Sequence, residues 1–148
     1  MSDYVREKVL RLPIEGFQLE DLKKVITEKL EAMGKPVRDV DDDLGWYTEM
    51  AFPEVWGYGD RGKFQWSPTY PRQFMDFVLD REWGCEGEWG KVRELYPTEK
   101  EKYLPVFQKV LPGLDSLDDV RLVEFCWYNG CEAPDYYDLK DDPFYAEV

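Results

Sequence analysis

Residues 120–130 read VRLVEFCWYNG, the longest uninterrupted run of strand-forming residues in the chain. It is closed by Asn129-Gly130, the pair that two-residue hairpin turns prefer. Side chains alternate along a strand, so Val123, Phe125 and Trp127 share one face, and Leu122, Glu124, Cys126 and Tyr128 the other. The first of these faces is apolar throughout. The run is therefore expected to lie on the core, with the acidic, tyrosine-rich C-terminal segment hung from it.

Such a strand needs neighbours and a covering layer. Residues 8–12, KVLRL, stop at Pro13 and read as a short strand at a sheet edge. Leu19, Leu22, Val25, Ile26, Leu30 and Met33 recur at three- and four-residue steps, the stripe of an amphipathic helix. Its other side carries Glu20, Asp21, Lys23, Lys24, Glu28 and Lys29 as a solvated face. Gly34 suits the left-handed position after a helix end, and Pro36 prevents continuation. Trp46 to Phe52 alternates as a strand would and stops at Pro53. Residues 55–58 and 63–66 flank Gly59-Asp60-Arg61-Gly62, which predicts an aromatic-rich hairpin.

A second helix is expected after Ser67-Pro68 or Tyr70-Pro71, with Phe74, Phe77, Val78 and Arg81 on one side and Gly84 at its end. Residues 85–97 read as a loop. Thr98 and Glu101 have the spacing of a capping box for a third helix. Pro105 predicts a break or kink near Leu104, and Pro112-Gly113 closes that helix. With residues 85–119 set aside as an insertion, the element order resembles the β-α-β-β-α-β order of split βαβ arrangements. The expected fold is α+β, residues 1–148 forming one compact domain, with a mixed or antiparallel sheet and helices mainly on one face.

Size and composition permit this. A chain of 148 residues buries about 70% of its extended surface, enough to fold without disulfides or metal. Three cysteines, Cys85, Cys126 and Cys131, cannot all pair within one chain. Cys126 and Cys131 would sit offset across the Asn-Gly turn, so a bridge between them is not favoured. The N-terminal residues MSDYVREKVLRL are charged throughout and do not form a signal peptide, and no apolar run nears the ~20 residues of a membrane span. The expectation is a reduced, cytoplasmic protein.

Charge constrains function most. There are 32 Asp and Glu against 19 Lys and Arg, net −13, with no histidine. Residues 39–60 hold seven acids and no base, and residues 115–148 hold ten acids and two bases. Outside these two segments acid and base nearly balance. Nucleic acid and anionic membranes are poor partners for such a chain, because phosphate binding needs clustered Lys and Arg. A basic protein is the natural partner.

Motifs for chemistry fail one by one. Asp39, Asp41 and Asp43 alternate like the start of an EF-hand loop. The sixth position is Leu44 and the twelfth Met50, where that loop needs Gly and Glu. A solvated acidic turn is the plainer reading. Without histidine there is no Ser-His or Cys-His pair. Cys85 is surrounded by acids that would raise its pKa, and three cysteines without CxxC spacing do not make a zinc site. Gly57, Gly59 and Gly62 are not followed by the lysine of a phosphate loop. Two carboxylates in a cleft could hydrolyse glycosides, but no pair stands out. No catalytic residue, metal ligand or cofactor is expected.

The leading expectation is a non-catalytic binding module that masks a basic, nucleic-acid-binding surface of a partner, as inhibitor and immunity-type proteins do. Its binding residues would be Asp41, Asp42, Asp43 and Glu49 of the first acidic segment, with Glu132, Asp135, Tyr136, Tyr137 and Asp138 of the second. There carboxylates steer a cationic surface and tyrosines supply rigid contact area. The alternative is a small-molecule site for a cationic or sugar-like ligand, lined by Trp56, Tyr58, Phe64 and Trp66.

Overall fold

A computed structural model describes residues 4–14, 17–35, 37, 39–40, 47, 50–52, 63–67, 69–70, 74–83, 92–128 and 137–138. For residues 17, 18, 63, 65, 66, 69, 70, 128, 137 and 138 the backbone alone is described. In chain order the elements are β1 (Tyr4–Pro13), α1 (Phe17–Ala32), β2 (Lys63–Trp66), β3 (Thr69–Tyr70), β4 (Phe74–Trp83), β5 (Val92–Glu94), α2 (Pro97–Val110), β6 (Arg121–Tyr128) and β7 (Tyr137–Asp138). The main sheet has the order β2-β4-β1-β6-β5, and every pairing in it is antiparallel. β3 and β7 form a separate parallel pair. The fold is α+β, as expected.

The 120–130 run forms β6, one strand in from the sheet edge. β1, which contains the run expected at a sheet edge, lies at the centre, between β4 and β6. Pro13 misleads because it closes the strand, opposite Phe74, where its missing N–H interrupts nothing. The segment expected to be the second helix is β4. FMDFVLDREW is buried on both sides over its first half, and a short, largely apolar run of that kind satisfies helical and strand spacing alike. A bulge further hides the alternation. Lys8 pairs with Asp80 and Val9 with Val78, so Leu79 is the extra residue. Before it Phe74, Asp76 and Val78 share a face with Val9 and Arg11. Beyond it Arg81 and Trp83 take over that face, and Asp80 and Glu82 turn to the other.

Two further expectations are corrected. Residues 47, 50 and 51 are helical, not extended, and Ala51 and Phe52 are buried in the core. The 85–97 loop contains the short strand β5. Of the expected hairpin, β2 forms and pairs with β4, and residues 55–58 lie outside the described residues.

The helices cover one end of one sheet face. Leu22, Ile26 and Leu30 of α1 and Phe107 and Val110 of α2 pack on Leu10, Leu12, Phe64, Met75, Phe77 and Leu122. Phe64, Phe77 and Phe107 form a ring cluster, with centroids 5.0 Å apart for Phe64–Phe77 and 5.1 Å for the edge-on Phe64–Phe107 pair. Towards the other end of the same face, Tyr4, Arg6, Glu82 and Glu124 are exposed. The opposite face buries Val9, Val78, Val123 and Phe125, with Val92 and Trp127 at its margin.

Helix ends follow local chemistry. After α1, Gly34 adopts φ 73° and its amide donates to the Glu31 carbonyl, so a residue without Cβ completes the turn. α2 starts two residues before the expected box. Tyr96 is its N-cap, Pro97 is first, and the Tyr96 amide donates to Glu99 Oε2 at 2.8 Å. The helix runs through Pro105 without the expected break. Pro105 is on the exposed side, as is Glu101, whose carbonyl it leaves without an amide donor.

Glu99 also receives the Arg93 guanidinium at 3.2 Å. The Arg93 hydrogen bond, followed by that from the Tyr96 amide, holds its carboxyl below the ordinary 4.5. The ionised form therefore stabilises the fold above the ordinary carboxylate range. That contribution disappears as pH falls through the lowered folded-state value. In thermal melts Glu99→Gln is expected to melt lower than wild type at neutral pH, with the gap closing on acidification. A gap independent of pH would contradict the assignment.

Candidate partner-binding site

Most residues expected to bind a partner lie outside the described residues: Asp41, Asp42, Asp43, Glu49, Glu132, Asp135 and Tyr136. So do Trp56 and Tyr58 of the alternative site. Tyr137 and Asp138 are placed by backbone, as β7, alongside Thr69 and Tyr70. Trp66 is placed by backbone at the end of β2, opposite Met75. Phe64 is wholly interior, filled in by Phe77 and Phe107, and offers no surface to a ligand.

The second acidic segment begins within the described residues, and there the fold shapes it. Residues 111–120 connect α2 to β6. Leu111, Leu117 and Val120 anchor this connection in the core. The Leu114 amide donates to the Leu111 carbonyl, the Val120 amide to Leu117, and Gln108 Nε2 to the Leu114 carbonyl at 2.8 Å. These bonds satisfy the backbone of a non-repetitive segment and hold it in one shape. Between the anchors Asp115, Asp118 and Asp119 are left exposed.

Opposite them stands Asp21, on the second turn of α1. Asp21, Leu111, Gly113, Leu114, Asp115, Ser116 and Asp119 line an open cleft of about 240 Å³. Three carboxylates and two leucines line it, and no base does so among the described residues. Leu111, the C-cap of α2, is among the lining residues, so the negative end of that helix lies beside the cleft. Among the described residues no three His, Cys, Asp or Glu side chains are grouped to hold a metal ion. The cleft thus suits a cation with an apolar stem, as in a Lys or Arg side chain, whose methylenes lie on Leu111 and Leu114.

No family model, curated protein or solved structure matches this chain. Its function must be argued from its own residues.

A second groove, of about 220 Å³, lies on the uncovered end of the sheet, where Arg6, Lys8, Asp80, Glu82 and Glu124 meet. Lys8 Nζ is 3.7 Å from Glu124. Both signs are present here, so the groove has no strong preference for a charged ligand. Cys126 lies beside it as a free, buried thiol. Burial pushes its pKa up, against a smaller opposing pull from Arg6, which makes it a poor nucleophile. No helix among the described residues is long and apolar enough to cross a membrane.

Sequence reasoning passed over Asp21, which read as one more charge on a solvated helix face. It also counted Asp115 and Asp119 as charge without assigning them a place. Their grouping depends on α1 and the 111–120 connection meeting in space, and no local pattern encodes that.

The largest polar feature was also missed. Arg11 is wholly buried, with Nε 2.8 Å from Asp76 Oδ1 and a terminal nitrogen 2.9 Å from Oδ2, a bidentate pair. The same terminal nitrogen donates to Ser67 Oγ at 2.7 Å. The guanidinium lies 5.0 Å from the Phe74 ring centre and 4.8 Å from that of Phe125. Four residues back along β1 and on the same face, buried Glu7 pairs with Arg81, whose guanidinium is 5.9 Å from Trp83. Every member is matched, so these pairs organise the sheet face and leave no reactive group poised for chemistry.

Proposed function

We propose that this chain is a non-catalytic, acidic protein-binding module of the inhibitor or immunity type, covering a basic, nucleic-acid-binding surface of a partner protein. The observation that carries the reading is the cleft where Asp21 joins Asp115 and Asp119 beside Leu111 and Leu114, with no base lining it among the described residues. It supports a partner that presents lysine or arginine. The net charge of −13, gathered largely in two segments, supports long-range attraction to such a surface.

The test begins with capture on the immobilised chain at low salt, release at high salt, and identification of the retained proteins. The association rate of the purified partner is then measured by stopped flow across ionic strength. It is expected to fall about tenfold or more from low to high salt as screening shortens the reach of the field. Asp115→Lys/Asp119→Lys is expected to slow association further, and bound partner should lose its affinity for nucleic acid. A rate indifferent to salt, or a partner that still binds nucleic acid in the complex, would overturn the proposal.

A further inference from the structure

β1 and β4 are joined by two buried ion pairs whose spacings disagree. On β1, Glu7 and Arg11 are four residues apart and share a face, since side chains alternate along a strand. On β4 their partners, Arg81 and Asp76, are five residues apart. In a regular strand an odd separation sends two side chains to opposite faces. Both pairs can close together only if β4 takes up an extra residue between them. That residue is Leu79, at the one register shift along the β1–β4 ladder.

The residues beyond the bulge show what the extra residue achieves. In the observed register Lys8 faces Asp80, Glu7 faces Arg81 and Arg6 faces Glu82, three opposite charges in a row. Asp80 Oδ1 also accepts from the Arg81 amide at 3.0 Å, tying the backbone just past Leu79. A ladder without the bulge would pair Lys8 with Leu79, Glu7 with Asp80 and Arg6 with Arg81, and would set Glu82 beside Val5. Two like-charge pairs would replace three matched ones. The worse of the two would press Asp80 against Glu7, whose side chain is wholly buried, with Arg81 turned to the other face.

We infer that the two buried pairs form a charge key for the β1–β4 register. Arg11–Asp76 fixes the near half of β4, Glu7–Arg81 fixes the far half, and their unequal spacing forces the bulge at Leu79. The key decides what each face of the sheet displays. It holds Asp80 and Glu82 in the groove beside Arg6, Lys8 and Glu124, and keeps Arg81 and Trp83 on the opposite face. A one-residue slip would exchange the two sets, and the groove would trade two acids for Arg81 and Trp83. None of this depends on the proposed partner.

The experiment reads backbone cross-strand contacts between β1 and β4 by NMR on the full chain. Asp80→Arg/Arg81→Asp exchanges two neighbours and leaves composition and net charge unchanged. It brings the arginine to four residues from Asp76, so the ladder without a bulge becomes the matched one. Glu7 is expected to move opposite residue 80 and Trp83 opposite Tyr4, with the bulged register reduced to about a tenth of the molecules or less. Deletion of Leu79 from the wild-type chain is the second variant, and it decides the matter if the first does not fold. It should leave Arg11 opposite Asp76 and Glu7 opposite Arg81, now within a regular ladder.

A double exchange that keeps Glu7 opposite residue 81, with the extra residue still at Leu79, would overturn the inference. So would a deletion variant that moves Arg81 off Glu7, re-forms a bulge elsewhere in β4, or fails to fold. The key makes Leu79 the residue of β4 that the pairing does not need.

Discussion

Asp76→Ala is expected to remove about 3–5 kcal/mol of folding stability, a large share of the ~5–15 kcal/mol that holds an ordinary domain together. Asp76 and Arg11 are each wholly buried and meet bidentately. Without the carboxylate, the guanidinium loses this counter-charge at a position closed to bulk solvent. Most of the cost is the stranded charge. The pair itself is worth less against an apolar substitute, since burying both ions was expensive at the start. Arg11→Met/Asp76→Leu should therefore recover much of what Asp76→Ala loses. Urea unfolding of the three proteins checks this through midpoints at constant slope. A double variant as unstable as the single one would show that the pair does more than cancel its own desolvation.

Phe107→Ala is expected to cost a similar amount, about 3–5 kcal/mol, by a different route. Phe107 is wholly buried on α2 and meets Phe64 of β2 edge-on and Phe77 of β4 at 6.2 Å. With Val110, it is a wholly interior side chain through which α2 reaches the sheet. Truncation would remove a ring from a three-ring cluster whose other members are fixed on strands and cannot close the gap. Unlike Asp76→Ala, this loss is not rescued by changing a partner's charge, and it should be insensitive to salt. A cost below about 1 kcal/mol would mean that the helix layer relaxes freely over the sheet.

Together these variants probe the two faces of one sheet, and the faces were unequally legible from sequence. The helical face was readable because its periodic signals are local. The 3.6-residue stripe of α1, the Gly34 stop and the strand run of β6 each lie within one stretch of chain. β4 was not readable as a strand. Its first half is buried on both sides, and the Leu79 bulge breaks the alternation that would have marked it. The start of α2 was misplaced by two residues because Tyr96-Pro97 with Glu99 does the work that Thr98 and Glu101 appeared to offer. Arg11 and Asp76 were invisible. They are 65 residues apart, and each looks like an ordinary surface charge until β1 and β4 align in register.

The amino-acid sequence alone determined the composition of classes: an acidic chain without histidine, with one clear amphipathic helix, one clear central run of strand, and acid gathered in two segments. Those are properties of neighbours along the chain, where period, capping residue and charge count act over a few residues. Tertiary structure alone decided that β1 is central, that two ion pairs lie under one sheet face, and that Asp21 shares a cleft with Asp115 and Asp119. Each of these depends on contacts between distant segments. Burial and electrostatic strength are set by what surrounds a group in space, and sequence order does not specify those surroundings.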